Sequence, residues 1–306
     1  MSDTVKLILV AIDPGPASQT AFLQALRLAQ SMRTKLVVVS VTPRYEGNMN
    51  RWAISDANDQ MSLPFKKCLQ DATRTAAAHG QTIRVEHRVG DPVEEIIATA
   101  EEIGAGLLLM GCPKRAYVER VLLGRTIANV IGLSSCDVLL IPEDVEVNFT
   151  RTLVGLDGSR HSMDAGQRAL DLAAAYGGEV HALSVLDVGV DRSLRYGVLD
   201  EARRKSSTAV QTLAGQGKKL GVPVITEIWE GFPYEQIVKY CEEKDIQLIV
   251  LGSYGRTALR RFLMGSVVER VAALSFKPIL VVKRLASNGV RDLAGVGDLV
   301  SEKMAG

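Results

Sequence analysis

The sequence has few cysteines and almost no net charge. Four cysteines occur in 306 residues, without any C-x-x-C spacing: Cys68, Cys112, Cys136 and Cys241. This scatter argues against a zinc site and a disulfide framework, and it fits a reducing cytoplasm. The 36 lysines and arginines nearly balance the 35 aspartates and glutamates, so no overall field favours nucleic acid or an anionic membrane as a partner.

The sequence also lacks a long apolar run and the motifs of several enzyme classes. The N-terminal apolar run, residues 5–12, stops at Asp13 and is too short for a membrane span or a signal peptide with its cleavage site. We therefore expect a cytoplasmic protein without membrane insertion. No G-x-x-x-x-G-K-[ST] motif is present, which excludes a P-loop nucleoside triphosphatase. The four histidines have no metal-ligand spacing, and no catalytic residue set can be assigned.

What the sequence does contain is an internal repeat. Residues 153–157 (LVGLD) match residues 9–13 (LVAID), and A-L-x-L-A occurs at 25–29 and again at 169–173, both at an offset of 144. Later matches lie 141 positions apart: Gly90 with Gly231, Pro92 with Pro233, Gly111 with Gly252, and Gly124 with Gly265. The first copy therefore carries three extra residues between its second and third elements. A two-copy repeat of about 140 residues predicts a tandem pair of domains rather than a solenoid.

Each copy alternates short apolar runs with helical patterns. In the first copy we predict strands at 6–12, 36–41, 83–89, 107–110 and 138–141. Helical patterns lie between them, the second starting at residue 65 after a polar, irregular stretch over 42–64. This alternation predicts an α/β fold of two tandem, open, five-stranded parallel sheets with helices on both faces and ligands at the carboxyl ends of the strands. The predicted domains are 1–142 and 150–284, with a linker at 142–150 and a tail at 285–306.

The second copy contains a stretch suited to holding phosphate, LIVLGSYGRTALRRFLMGSVVER at residues 248–270. An apolar strand ends at Gly252, Gly255 continues the turn, and Gly265 and Ser266 open a helical pattern. Glycine lets the backbone approach an anion closely, and a helix N-terminus offers unpaired N–H groups and about half a positive charge. The alternative is that these glycines only end a strand and start a helix.

The motif Gly252-x-x-Gly255-x9-Gly265-Ser266 resembles the ATP-binding signature of the universal stress protein family. The resemblance extends over roughly residues 4–284 and is strongest to the two-domain bacterial E-type. It implies an adenine nucleotide alpha hydrolase-like, Rossmann-like domain in each copy. It also implies ATP as cofactor, with or without bound Mg²⁺ or Mn²⁺. The positions that match the family's nucleotide-contacting residues are Asp157, Val185, Gly252, Gly255, Arg256, Gly265, Ser266 and Val267.

Asp157 and Val185 match the family in different ways, one through its side chain and the other through its backbone. In the family, the aspartate after the first strand contacts the nucleoside, and the end of the second strand supports adenine through its backbone; Asp157 and Val185 match these positions. Asp-Gly-Ser also suits a helix N-cap or a turn by itself, so Asp157 has a structural alternative. The family often has a second hydroxyl two positions after the serine, where this chain has Val268, so one phosphate contact is missing.

The first copy departs further from the signature. Gly111 and Gly124 are kept, but Lys114 stands at the second glycine and Arg125 at the serine, with the Thr126 hydroxyl one place later. In one interpretation Lys114 and Arg125 add positive charge for phosphate. In the other, Lys114 costs about 1 kcal/mol or more in a left-handed turn and fills the pocket. We expect the second, and hence one nucleotide per chain.

The function implied by the resemblance is that of a nucleotide-binding regulatory protein of the stress response, with a protein partner that the sequence does not name. The alternatives are a slow ATPase or other ATP-using enzyme, and a nucleotide-free scaffold that holds an apolar ligand or a protein partner in the degenerate first copy. Single-domain relatives dimerise through their fifth strands. We therefore expect residues 138–141 and 279–282 to pair within this chain, and a homo-oligomer is a further possibility.

Overall fold

The computed structural model describes residues 5, 7–44, 57–113, 123–187, 198–253 and 265–283. The first copy consists of β1 (Leu7–Ala11), α1 (Pro16–Ser31), β2 (Lys35–Pro43), α2 (Ala57–Ala78), β3 (Arg84–Gly90), α3 (Pro92–Glu102), β4 (Leu107–Cys112), α4 (Arg125–Leu133) and β5 (Asp137–Pro142). The second copy consists of β6 (Arg151–Gly155), α5 (Arg160–Tyr176), β7 (Glu179–Leu186), α6 (Val198–Leu220), β8 (Val224–Glu230), α7 (Pro233–Glu243), β9 (Leu248–Gly252), α8 (Ser266–Leu274) and β10 (Ile279–Val282).

The strands form one ten-stranded sheet in the order β3-β2-β1-β4-β5-β10-β9-β6-β7-β8. Within each copy the five strands pair in parallel, and β5 pairs with β10 antiparallel. The predicted fold class, two five-stranded parallel sheets with helices on both faces, is confirmed. The predicted domain boundaries stay a prediction, and the tail at 285–306 lies outside the residues that the structure describes.

The helices divide into two layers, and each layer serves both copies. Helices α1, α2, α5 and α6 pack on one face of the sheet, and α3, α4, α7 and α8 pack on the other. Each of the two apolar cores therefore continues across the boundary between the copies. The central strands are buried on both faces, as parallel strands between helices should be, which explains their unbroken apolar runs.

The second helix of the first copy begins earlier in the chain than predicted. The polar, irregular stretch predicted over 42–64 is wrong at both ends, because β2 continues to Pro43 and α2 starts at Ala57. Pro64 lies inside this helix. A proline usually marks a helix start or break, because it lacks an N–H and its ring crowds the preceding turn. Here Pro64 is exposed and the following turns are held by buried side chains such as Leu69 and Ala72.

The two copies meet where β5 pairs with β10, as predicted. Leu140 is opposite Ile279, Leu139 is opposite Leu280, and Val138 is opposite Val281. All six side chains are buried. The pairing covers two apolar edge strands that would otherwise be exposed. The expected pairing of the fifth strands within one chain is confirmed.

A buried charged cluster lies at one end of this β5–β10 seam. Asp137 Oδ1 accepts a hydrogen bond from the Lys283 backbone N–H at 2.8 Å, and Asp137 Oδ2 lies 3.0 Å from Arg168 Nε. The Lys283 ammonium donates to the backbone carbonyls of Ile131 and Gly132. Burial raises the pKa of the Asp137 carboxyl against the opposing effect of Arg168, and burial lowers the pKa of Lys283 to about 8.

The segment joining the copies, residues 143–150, is held against α1. The Asp144 N–H donates to Thr20 Oγ1 at 3.2 Å, and the Val147 N–H donates to Gln24 Oε1 at 3.0 Å. Phe149 is buried and stacks on Tyr176 with 4.5 Å between ring centroids. The connection is therefore a packed part of the fold.

We expect Val281→Lys to destabilise the protein by roughly 3 kcal/mol or more, since it buries an unpaired charge at the seam. Ile225→Lys is the matched control, because Ile225 lies on the edge strand β8 and is 37% exposed, whereas Val281 is fully buried. The control should change the free energy of unfolding by about 0.5 kcal/mol or less. Urea titrations of both variants measure this, and equal effects would contradict a stabilising seam.

Candidate functional site

The site predicted for the second copy lies at the carboxyl ends of its strands. Asp157 follows β6, Val185 lies near the end of the neighbouring β7, and Gly252 ends β9 on the other side of β6. Gly265 immediately precedes α8. The structure therefore brings four of the predicted positions to one edge of the sheet. Gly255 and Arg256 lie outside the residues that the structure describes, as does Lys114 of the first copy.

Hydrogen bonds join these strand ends. The Leu156 N–H donates to the Leu183 carbonyl at 2.8 Å, and Ser184 Oγ donates to the Leu156 carbonyl at 2.6 Å. The first copy has the same hydroxyl contact, from Ser40 Oγ to the Ile12 carbonyl at 2.9 Å. These buried serines hold the point where the chain leaves the first strand. Sequence analysis did not single them out, although both copies carry a serine at this position.

Asp157 lies in a tight turn and is partly buried. Its Oδ1 accepts from the Ser159 N–H at 2.9 Å, and Gly158 between them has φ of 76°, which favours glycine. The N-cap of α5 is Ser159, whose Oγ accepts from the Ser162 N–H at 3.2 Å. Of the two structural alternatives for Asp157, the N-cap is therefore wrong and the turn is present. Its contact with a nucleoside stays a prediction.

The first glycine of the signature has a packing role. A Cβ at Gly252 would lie 2.7 Å from the backbone carbon and oxygen of His161, at the start of α5. A Cβ at Gly111 would lie 2.3 Å from the same atoms of Ala17 in α1. Only glycine lets the helix approach the strand end so closely, whether or not phosphate binds. This explains why both copies keep it.

The helix that follows begins in the same way in both copies. Gly265 has φ −61° and ψ 135°, and Gly124 has φ −56° and ψ 137°, so neither needs a left-handed conformation. The Gly265 N–H donates to the Ser253 carbonyl at 3.2 Å, and the Ser253 N–H donates to Val282 at 3.1 Å, so the start of α8 is tied to β9 and β10. A Cβ at Gly265 would meet the Ser253 carbonyl oxygen at 3.2 Å, which is tight.

The three residues after Gly265 differ in how far they are buried. Ser266 is exposed at the first position of α8, and Val267 is partly buried. Val268, where the second family hydroxyl is missing, is 3% exposed and packs into the core. Its counterpart Ile127 is also buried in that core, so this position serves packing in both copies.

The first copy has a cavity of about 500 Å³, open to the surface, at the equivalent place. Its lining is largely apolar and includes Pro14, Pro16, Phe65, Ile96, Met110 and Pro113. Asp13, the counterpart of Asp157, accepts from the Gly15 N–H at 2.8 Å and from Ser18 Oγ at 2.6 Å. The sequence suggested an apolar ligand in this copy as one alternative but did not locate the cavity. The signal for it was the replacement of the polar Gly158 to His161 loop by Pro14-Gly15-Pro16-Ala17.

The described part of the chain shows neither a metal site nor a membrane-spanning helix. In that part there is no group of three or more histidine, cysteine, aspartate or glutamate residues placed to hold a metal ion. None of the helices described has the length and apolar character needed to cross a bilayer.

We expect Gly252→Ala to cost roughly 1 to 3 kcal/mol of stability, because the added Cβ overlaps the backbone of α5. Gly215→Ala, in α6, is the control, because a Cβ there meets no atom within 4 Å. That substitution should stabilise the protein by about 0.4 to 1 kcal/mol. Thermal and urea unfolding compare them; a neutral Gly252→Ala would show that the strand end is not packed as tightly as the structure indicates.

Comparison with known proteins gives a consistent result. A universal stress protein of Methanocaldococcus jannaschii is 33% identical over 141 residues, covering 44% of this chain and 83% of its own length. A universal stress protein of Mycobacterium tuberculosis is 27% identical over 309 residues, covering 90% of this chain and 96% of its own. The crystal structure of a universal stress protein from Archaeoglobus fulgidus superposes with a TM-score of 0.71 at 23% identity, covering 92% of this chain and 99% of its own.

The family model described as "Universal stress protein family" matches this chain twice, over residues 4–142 and 148–283. The two matches together span most of the sequence and follow the internal repeat. The chain belongs to the universal stress protein family and carries two copies of its domain in tandem.

Proposed function

We propose that this protein binds an adenine nucleotide, ATP in the first instance, in its second copy, and acts as a regulatory or protective binding protein in the stress response. One observation carries the proposal. Gly252 and Gly265, at the two ends of the glycine signature, are brought together through Ser253 at the carboxyl end of β9, beside the N-terminus of α8. This is where doubly wound sheets bind ligands.

The described residues fit a phosphate group. Gly265 has no side chain to cap the first turn of α8, and Ser266 presents an exposed hydroxyl at the helix start. Backbone N–H groups of Ser266 and Val267 together with the helix dipole suit an anion there. Glu269 in the same turn reduces the positive potential, and the buried Val268 adds no hydroxyl, so we expect moderate affinity.

The nucleoside would lie across the neighbouring strand ends. By the family resemblance, Asp157 contacts the nucleoside and the Val185 backbone supports adenine. Asp157 is partly buried and held by the Ser159 N–H, so its carboxylate is already fixed before any ligand arrives. Gly255 and Arg256 remain part of the proposed site as phosphate contacts, with any Mg²⁺ or Mn²⁺ carried by the phosphates.

The alternative within the same family is an ATP-using enzyme, and we propose binding without efficient turnover. Fast phosphoryl transfer needs in-line positioning, charge neutralisation and a base or metal carboxylate. Near the predicted phosphate position the described residues supply amides and the Ser266 hydroxyl, which suit holding phosphate. Two carboxylates lie at this edge, Glu269 in the first turn of α8 and Asp157 in its turn, and we assign neither as a base or a metal ligand. Such a protein regulates through a ligand-dependent surface, read by a protein partner or by another copy of the chain.

A second candidate function concerns the first copy, and the observation that favours it is the cavity of about 500 Å³ there. Its proline-rich, apolar lining suits an apolar ligand better than a polyphosphate. Asp13 Oδ1 differs from Asp157 Oδ1 in that it accepts from a serine hydroxyl, Ser18 Oγ, in addition to the backbone N–H of its own turn. The first copy would then serve as a scaffold for an apolar ligand while the second binds nucleotide.

We expect Ser266→Asp to weaken ATP binding at least tenfold, because a carboxylate within about 5 Å of a phosphate costs more than about 1.4 kcal/mol. The helix should be unharmed, since an acidic residue in the first turn is favourable. Titration calorimetry with ATP measures the affinity, with thermal unfolding as the check on folding.

The matched control is Arg125→Asp, at the equivalent exposed position of α4. ATP binding should stay within about twofold of the wild type, with a stoichiometry near one per chain. The companion pair is Gly265→Val, which should abolish nearly all binding, and Gly124→Val, which should change little. Loss of binding in the Arg125 or Gly124 variant would place the nucleotide in the first copy and contradict the proposed asymmetry.

We expect phosphate release under excess ATP and magnesium to stay below about one turnover per second, the low end of ordinary enzymes. A coupled phosphate assay on the wild-type chain measures it, with Ser266→Asp as the background control. Sustained turnover above that rate, lost in the Ser266 variant, would favour the ATP-using enzyme over the binding protein.

A further inference from the structure

A second cavity lies at the seam between the copies, and it shares no residue with the proposed nucleotide site or with the cavity of the first copy. Its volume is about 260 Å³. Strands β4, β5, β9 and β10 form its floor, and α1 and α5 form its walls. It therefore lies on the face of the sheet that α1 and α5 cover, and both copies contribute to its lining.

The apolar lining follows the internal repeat. Three leucines of the first copy face their three counterparts in the second: Leu28 and Leu172, Leu107 and Leu248, Leu139 and Leu280. The stacked rings of Phe149 and Tyr176 form part of the second copy's contribution. An apolar cavity of about 150 Å³ is enough to bind benzene. A cavity of 260 Å³ has room for two fused rings.

The polar groups of the lining break the symmetry and define the chemistry. Asp137 and Asp171 bring two carboxylates, and Arg168 brings one guanidinium, which lies 3.0 Å from Asp137. Asp171 Oδ1 accepts from Gln167 Nε2 at 2.9 Å. Asp137 is already paired with Arg168 and lies beside Lys283, whereas the Asp171 carboxylate accepts from a neutral amide. The Asp171 carboxylate therefore disfavours an anionic ligand and favours one that donates a hydrogen bond. The hydroxyls of Ser31 and Tyr176, 3.0 Å apart, join the two helices across the lining.

We propose that this cavity binds a small neutral molecule with an apolar, flat body of about two rings and one hydrogen-bond donor. The occupant contacts both copies at once. It stabilises the seam whenever it binds the folded chain, since a ligand that binds only the native state raises its stability. This gives the protein a second ligand-dependent state, independent of nucleotide.

The test uses the full wild-type chain and naphthol as the probe, with methionine methyl groups labelled for NMR. Met32 lines the cavity and reports on its occupancy. Naphthol should shift the Met32 methyl signal saturably and raise the melting temperature. It should bind at least about tenfold more tightly than its methyl ether, which has no donor, and than naphthoate, which is an anion. No Met32 shift up to the solubility limit, or equal affinity for naphthoate, would overturn the proposal.

Variants locate the binding in the cavity. Leu172→Trp fills the cavity and should weaken naphthol binding at least tenfold. If that variant does not fold, Ala175→Trp is used instead, at an exposed position on the rim of the cavity, with the same expected loss of binding. Leu220→Trp is the control, because Leu220 is 48% exposed on α6 and does not line the cavity. Unchanged affinity in the filled variants would overturn the proposal. ATP titration of the same variants should be unaffected, which separates this test from that of the nucleotide site.

Discussion

The antiparallel pairing of β5 with β10 is the constraint on which the rest of the molecule depends. Each copy is a parallel sheet, so one antiparallel contact turns the second copy end over end relative to the first. The carboxyl ends of the strands therefore lie along one edge of the ten-stranded sheet in the first copy and along the opposite edge in the second. The proposed nucleotide site of the second copy and the cavity of the first copy face away from each other. Any communication between them has to pass through the seam and the two shared cores.

Much of the fold could be predicted because it is local or repeated. The apolar runs predicted the strands, and the strand predicted at 138–141 lies within β5. The start of α2 could not be predicted, because Pro64 suggests a boundary that tertiary packing overrides. The Asp137–Lys283 contact joins residues 146 positions apart and has no local signal. In the site, the spacing of Gly252 and Gly265 predicted their position, but the packing of Gly252 against α5 depends on a close approach that only the assembled fold defines.

The glycine signature combines two requirements, and the two copies separate them. Gly111 and Gly252 are both needed where a helix start packs on a strand end, and Gly124 and Gly265 share one backbone conformation before α4 and α8. The first copy thus keeps what the fold requires. It differs at the proposed ligand positions: Arg125 stands where the second copy has Ser266, and prolines stand in the loop after β1. The two copies therefore share their architecture and differ in the residues at the proposed ligand positions.

The short connection over residues 143–150 has a consequence for how the two copies associate. Two separate chains pairing by their fifth strands would come apart on dilution, whereas a short tether keeps the local concentration of one copy around the other in the millimolar range. Fusion also removes the demand for self-complementarity that a twofold dimer imposes. The ion pair between Asp137 and Arg168 has no equivalent on the other side of the interface, because the residues at the corresponding positions are Pro278 and Gln24. In a homodimer every such change would be made twice, so the single chain can change one half of its interface without the other.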